Sequence, residues 1–294
     1  MRVIKTISLE DTEVTSIFWS SKGLVSGALN GSVLYWPTDD SPNGGMCHIG
    51  EMKEYSDHSL AVTSVCIVGD YLVSSSLDGK ISKIQISDSK ISSISSIKDP
   101  CVLSPIGSSN LFLVGTATGT LYKLSIDSDT IVSSLDLFKE AICSIAEHPT
   151  NNESLILSSS ELKIVNHDTM QVTQTIDLSG ICCTCVSISD DGLTAVITAT
   201  DGSVRVIDLV SFKQVGCIVF DGSELHRIQP IEFGRRFVVA GADGRVSFVN
   251  LEKMLKEKGL KIGSSPILAL AVQKEKNIIA VAGFDGNITF LDYE

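Results

Sequence analysis

The run Ile181-Cys182-Cys183-Thr184-Cys185 is the densest concentration of thiols in the chain. Zinc sites draw four ligands from two paired elements, with two to four residues between members of a pair. On a strand, Cys183 and Cys185 share one face and Cys182 takes the other, so the three thiolates cannot converge on one ion. The histidines, His48, His58, His148, His167 and His226, are scattered and none lies beside this run. Most of the eight cysteines sit in apolar runs, such as Cys66 in VTSVCIV and Cys143 in AICSIA. They read as buried, reduced thiols of a cytoplasmic or nuclear protein. His148 precedes Pro149 in a turn, EHPTNNES. No Ser–His–Asp or Cys–His set assembles from neighbouring residues. The glycines form no GxGxxG or phosphate loop, so neither a cofactor nor a metal is expected.

Charge narrows the partners. The balance of 23 basic and 35 acidic residues is −12. Nucleic-acid binding draws its affinity from a basic surface, which this composition does not favour. Basic residues cluster only at Arg235-Arg236 and at Lys253, Lys256, Lys258 and Lys261, where Glu252 and Glu257 interrupt them. With 6% aromatic residues there is no stacking platform for bases. The first residues, MRVIKTISLEDTEV, lack the apolar run of a secretory signal. No window approaches the length of a membrane-spanning helix.

The elements that must position any site follow from a repeat. An apolar run, a turn ending in Gly and an alternating run recur. The turns are Asn30-Gly31, Asp78-Gly79, Thr118-Gly119, Asp201-Gly202, Asp243-Gly244 and Asp285-Gly286, with a degenerate copy, SSSELKIV, placing Glu161 where Gly is expected. The spacings run from 40 to 48 residues and cover the whole chain, so 1–294 reads as one domain. Within each copy the side-chain period is two. In VITATDGSVRVIDLV, two alternating runs flank Asp-Gly, a pair that tolerates the positive φ of a tight hairpin. One strand precedes each hairpin (VTSIFWS, IQPIEFG, ILALAVQ) and one follows it (QVTQTIDL, QVGCIVF). Seven units of four antiparallel strands make an all-β, seven-bladed propeller. The sequence stops three strands into the seventh unit, and VIKTISL near the start supplies the fourth, closing the last blade. Residues 38–55 read as a long surface loop. Residues 251–263 carry Leu251, Met254, Leu255 and Lys258 at helical spacing, which predicts a short helical turn before an irregular strand.

The hairpins SSSLDGKISKIQI, ITATDGSVRVIDLV and AGFDGNITFLDYE resemble WD repeats. The resemblance implies a structural network in which the turn Asp bonds a His from the loop before the innermost strand, completed by Ser or Thr and Trp. His58 and Asp78 match that pair. Asp201, Asp243 and Asp285 keep the turn acid without an obvious His, and only Trp36 holds the Trp position. In order and spacing, DHSLAVTSV, SSSLDG, VGTATGTLY and ITATDGSVRVID are similar to the small WD-repeat subunit of the Ski complex. That family also works in an RNA polymerase II-associated elongation complex.

The WD resemblance further implies that the face carrying the Asp-Gly turns binds peptides and partner domains. The loops into the innermost strands put Glu13, Thr15, Leu60, Asp99, Lys139, Glu140, Ile181, Leu225, His226, Arg227 and Ser265 (before Pro266) at the channel mouth. Exposed Leu60, Ile181 and Leu225 among charges form the apolar centre and polar rim of a protein interface. His226 with Arg227 either touches a partner or stands in solvent. The expected function is a non-enzymatic scaffold, monomeric by itself, that holds a peptide or helical-repeat segment of a larger assembly. The Ski resemblance implies an aromatic-anchored peptide. Adaptors of a vesicle coat, of G-protein-like signalling or of a ubiquitin ligase share these features. A propeller enzyme would need a convergent polar set at the channel mouth, and a binder of nucleic acid or phosphoinositide would need a basic patch.

Overall fold

The computed structural model describes residues 1–9, 12–38, 50–231 and 234–293. Its strands form seven four-stranded antiparallel sheets, each built from consecutive strands except the last. Strands within a blade are lettered a, innermost, to d, outermost. Blade 1 is Val14–Ser20, Gly23–Ala28, Ser32–Pro37 and Lys53–Ser56; blade 2 is Val62–Val68, Tyr71–Ser76, Lys80–Gln85 and Ile91–Ser96. Blades 3 to 6 repeat the order, with innermost strands Pro100–Pro105, Ser144–Glu147, Cys183–Ile188 and Leu225–Ile231. Blade 7 is Ile267–Gln273, Ile278–Gly283 and Asn287–Asp292, and its strand d is Arg2–Ser8. The expected closure is therefore the observed one. Each innermost strand packs on those of its two neighbours, and strand a of blade 7 meets strand a of blade 1, closing the ring.

The period-two pattern explains the core. Alternate residues of strands a to c point into the layers between blades, and each layer is a cluster of buried aliphatic and aromatic side chains. At the closing seam Trp19 of blade 1 meets Phe290 of blade 7 edge to face at 5.7 Å. Six of the b–c turns end in Gly with φ between 68° and 91°, a region that costs an L-residue steric strain.

Four expectations need correction. In blade 4 it is Ser160, not Glu161, that stands in the Gly position: Glu161 opens strand c, and Leu178 N–H donates to Ser160 O as Ile97 N–H does to Gly79 O. Ser160 has no positive φ, so this turn needs no Gly. Strand a of blade 6 begins at Leu225, which puts Leu225, His226 and Arg227 on the strand rather than in the loop before it. Leu255–Lys261 is a strand with a register shift against Arg245–Asn250, as the irregular strand required, but the residues before it make only a turn closed by Met254 N–H to Leu251 O. Lys53–Ser56 is strand d of blade 1, so the loop expected over 38–55 ends before it; residues 39–49, with His48, lie outside the described residues.

Candidate functional site

The b–c turns and the loops into strand a share one face of the ring, because strands alternate direction within each blade. In six blades the residue before the turn Asp, Asn or Thr is pinned to that loop. The amides of Leu29, Leu77, Ala117, Thr200, Ala242 and Phe284 donate to the carbonyls of Glu13, Ala61, Asp99, Cys182, Glu224 and Pro266 at 2.9–3.4 Å. The backbone of this residue is thereby spent, and at Leu29, Leu77 and Phe284 the side chain stands out from the face. Leu77, Phe284 and Leu29 are 56%, 50% and 49% exposed, and Leu60, in the loop between the blade 1 and blade 2 turns, is 52% exposed. Blades 1 and 2 are consecutive, and the ring closure sets blade 7 beside blade 1. These three blades therefore carry an arc of exposed apolar side chains, Phe284, Leu29, Leu60 and Leu77, on a face whose other turns hold Ala117, Thr200 and Ala242. A cavity of about 450 Å³ lies at the Phe284–Leu29 end of the arc, lined by Leu9, Thr12, Glu13, Leu29, Asn30, Phe284 and Asp285. Its charged groups are both carboxylates. Alignment of the hairpins would have exposed this arc, since the residue two before the turn Gly is large and apolar only in these three blades.

The turn acids have a common local task. Oδ1 of Asn30, Asp78, Asp201, Asp243 and Asp285 accepts the amide two residues on, at 2.8–3.1 Å, which holds the turn. Among the described residues only Asp78 adds the His: His58 Nδ1 lies 3.3 Å from Asp78 Oδ2, and Nε2 lies 2.8 Å from Ser74 Oγ. Burial opposes ionisation of Asp78. The amides of Lys80 and Ser59 and the His58 ring outweigh it and hold its carboxyl below the ordinary carboxylate range. In blade 5 Arg205 takes the partner's place, 3.1 Å from Asp201. Blade 4 inverts the arrangement. There the carboxylate is Glu140, in the loop, and the turn supplies the donors: Ser159 Oγ at 2.5 Å, Ser160 Oγ at 2.7 Å and Ser160 N–H at 3.1 Å. These serine bonds pull the Glu140 carboxyl down to about 2.

A depressed carboxyl stabilises the fold above its unfolded pKa, and that contribution is lost as pH falls through its folded pKa. Glu140→Gln is expected to lower stability at neutral pH by about 1–2 kcal/mol, the value of hydrogen bonds to a charged group. The gap to wild type should close as pH falls from 4.5 to about 2. Denaturant melts at stepped pH would show this, and a gap independent of pH would refute it.

Several expected contact residues are occupied inside the ring. In blades 1, 2, 5 and 6 the second residue of strand a sits at a bulge, and its side chain staples that blade to the next. Thr15 Oγ1 donates to Val62 O at 2.6 Å, Thr63 Oγ1 to Pro100 O at 2.8 Å and Thr184 Oγ1 to Leu225 O at 2.6 Å. His226 Nδ1–H donates likewise to Ile267 O at 2.9 Å. The corresponding Cys101 and Cys143 thiols turn back to carbonyls of their own loops, Asp99 O and Ala141 O. Leu225 is buried at 5% exposure in the layer with Ile228 and Phe237, so it offers no apolar surface at the mouth. Ile181 is half-buried against Leu178. Arg227 is half-buried with its guanidinium on His226 O, Ser265 and Asp99 are half-buried, and Lys139 is exposed. Cys182 is exposed while Cys183 and Cys185 are buried, and burial pushes the Cys183 thiol up to about 12. Among the described residues no three His, Cys, Asp or Glu side chains are placed to hold a metal ion, and no helix is long and apolar enough to cross a membrane.

A family model described as WD domain, G-beta repeat, matches residues 50–82. That stretch contains His58, Ser74 and Asp78, the complete His–Ser–Asp network of blade 2. No curated protein matches the chain. The chain is a seven-bladed β-propeller of four-stranded blades, and its second blade is similar to a WD repeat.

Proposed function

We propose that this chain, working as one unit over 1–294, is a non-enzymatic scaffold whose turn-bearing face binds a protein partner. The observation that carries the reading is the cavity lined by exposed Phe284 and Leu29 and edged by Glu13 and Asp285, with exposed Leu60 and Leu77 on the same face. Isolated exposed apolar residues are ordinary, whereas a contiguous set on one face marks an interaction surface. An apolar centre with a charged rim excludes water from a few anchors and orients the partner by its edge. Lys139, Asp99 and Ser265 extend that rim around the channel mouth. The acidic edge favours a partner segment that carries a cation beside an apolar anchor. Seven free thiols among the described residues suit a reducing compartment, cytoplasm or nucleus. Within the scaffold class, the resemblance in order and spacing to the WD-repeat subunit of the Ski complex favours an RNA-decay assembly with a helical-repeat partner.

The test is affinity capture from native cells on the immobilised chain, followed by titration of the recovered partner against variants. Leu29→Ser and Phe284→Ser are each expected to weaken binding roughly tenfold to thirtyfold, the effect of truncating one interface anchor of about 1.5–2 kcal/mol. Val215→Ser, on the outer strand of blade 5, serves as the control. Equal affinity of all three variants would exclude the arc.

A further inference from the structure

The opposite face of the ring holds a second built recess, in the wedge between blades 4 and 5. Its walls come from three turns: His148 to Glu153 between strands a and b of blade 4, Asp191 to Leu193 between strands a and b of blade 5, and Leu209 to Phe212 between strands c and d of blade 5. It encloses about 240 Å³, and buried Ile164 is part of its lining. The volume accommodates one long side chain but no folded element.

Hydrogen bonds brace the recess. His148 ties its two sides together: Nε2–H donates to Gly192 O at 3.0 Å, while Nδ1 accepts the amides of Thr150 at 3.3 Å and Asn151 at 3.0 Å. Ser189 Oγ and the Leu193 amide hold the Asp191 carboxylate, and these bonds keep it below the ordinary carboxylate range. Glu153 also lines the recess, and its carboxylate has neither a hydrogen bond nor an ion pair among the described residues. Among the described residues no Lys or Arg lines the recess. Of the cations around it, Lys123 is buried with Nζ on His167 O at 2.7 Å, Lys274 is paired with Asp190, Arg235 is paired with Glu252 at 3.0 Å and adds to the field that holds Asp191 ionised, and Lys213, next to Phe212, is exposed. At the rim Leu193 and Val210 are 52% and 69% exposed.

We infer that this wedge takes a lysine or arginine side chain from an extended segment of a partner protein, with an adjacent apolar residue seated on Leu193 and Val210. The charge of the site selects the occupant. Two carboxylates in a recess without a lining cation repel phosphate, nucleic acid and acidic peptides and attract a cation, whose aliphatic stem packs along Ile164 and Phe212. The site faces away from the arc on the turn-bearing face, so both can be filled at once and the ring bridges two partners.

The test uses the full chain and a positional-scanning array of immobilised hexapeptides, with affinities of selected peptides then measured by fluorescence anisotropy. The expected selection is Lys or Arg at one position and an aliphatic residue within two positions of it. Leu193→Ser and Val210→Ser should each weaken the selected peptides about tenfold, and Glu153→Gln should weaken them severalfold and reduce their salt sensitivity. All three side chains reach solvent, and circular dichroism melts confirm that the variants fold. Leu29→Ser and Phe284→Ser should leave these affinities unchanged, which separates this site from the turn-bearing face. Selection of acidic or uncharged peptides, no selection at all, or equal binding to the three wedge variants would overturn the assignment. Dimerisation of the chain abolished by Val210→Glu would assign the wedge to a second copy and overturn it as well.

Discussion

Deletion of residues 1–8 should lower the melting temperature by ten degrees or more, or leave the chain insoluble. Arg2–Ser8 is the outer strand of the last blade and pairs along its length with Asn287–Asp292, from Arg2 opposite Asp292 to Ser8 opposite Asn287. Ile4 and Ile7 pack against the layer that holds Trp19, Ala280 and Phe290, the seam between blades 7 and 1. Side-chain bonds reinforce the ladder: Ser8 Oγ to Asn287 Oδ1 at 2.6 Å, and Arg2 to Asp292 at 3.0 Å. The surface ion pair adds little. Partial burial of two isoleucines contributes about 1–1.5 kcal/mol each, and loss of the ladder brings the total to on the order of 5 kcal/mol. At roughly 2 °C per kcal/mol for a chain of this size, that is a shift of about 10 °C. Removal also leaves strand c of blade 7, NITFLD, as an apolar edge open to pairing with other chains. Calorimetry of the truncated chain measures the shift, and a synthetic peptide of residues 1–9 added in trans should restore part of it. An unchanged melting temperature would mean that the ring does not depend on its closing strand.

His58→Ala should cost about 3 kcal/mol, more than any comparable change at the other turn acids. The His58 side chain is fully buried and that of Asp78 is 5% exposed. Removing the ring leaves the carboxylate with only the amides of Ser59 and Lys80, and Ser74 Oγ without its partner, in a site closed to water. Stripping one member from a buried charged pair is costly because the other member remains desolvated. The Asp78 carboxyl should move up toward its ordinary value once the His58 contribution is gone. Wild type therefore loses more stability on acidification than the variant does, and the gap between them narrows as pH falls through the folded pKa of Asp78. Asp243→Ala is the comparison. Its side chain is 39% exposed and caps its turn without a His, so about 1 kcal/mol is expected. Equal losses for the two variants in urea melts would show that the His58 network carries no special weight.

Much of the architecture was legible because its causes are local. Period-two alternation puts every second side chain into an interblade layer, and Asp-Gly at a fixed interval marks the hairpins whatever surrounds them. The closing strand was legible by arithmetic, since three strands at one end need a fourth. Errors arose where a short segment admits two readings. Leu225-His226-Arg227 reads as a loop because it follows Gly222 and precedes the alternating IQPIEF, yet interblade packing of Leu225 and the His226 staple extend the strand through it. The serines of blade 4 hid the true turn by one residue because no Gly marks it. Leu251 to Leu255 has helical spacing, but pairing with strand c of blade 6 takes over from Leu255 onward.

The candidate site was legible as a face and not as residues. The sequence by itself determined the number of blades, the strands within each, the turn chemistry and hence which loops share a face, all consequences of backbone stereochemistry and side-chain period over a few residues. The tertiary structure alone decided which side chains remain free on those faces. Thr15 and His226 are drawn into bonds with the next blade, Glu140 into the serines of its own, and Leu225 into the core, each because a partner from another strand lies within reach. Phe284 and Leu29 sit at opposite ends of the sequence and become neighbours only when the ring closes. The physical reason is that hairpins form from local geometry, whereas competition for a polar or apolar side chain is settled by contacts between blades, whose partners lie some forty residues or more apart in the sequence.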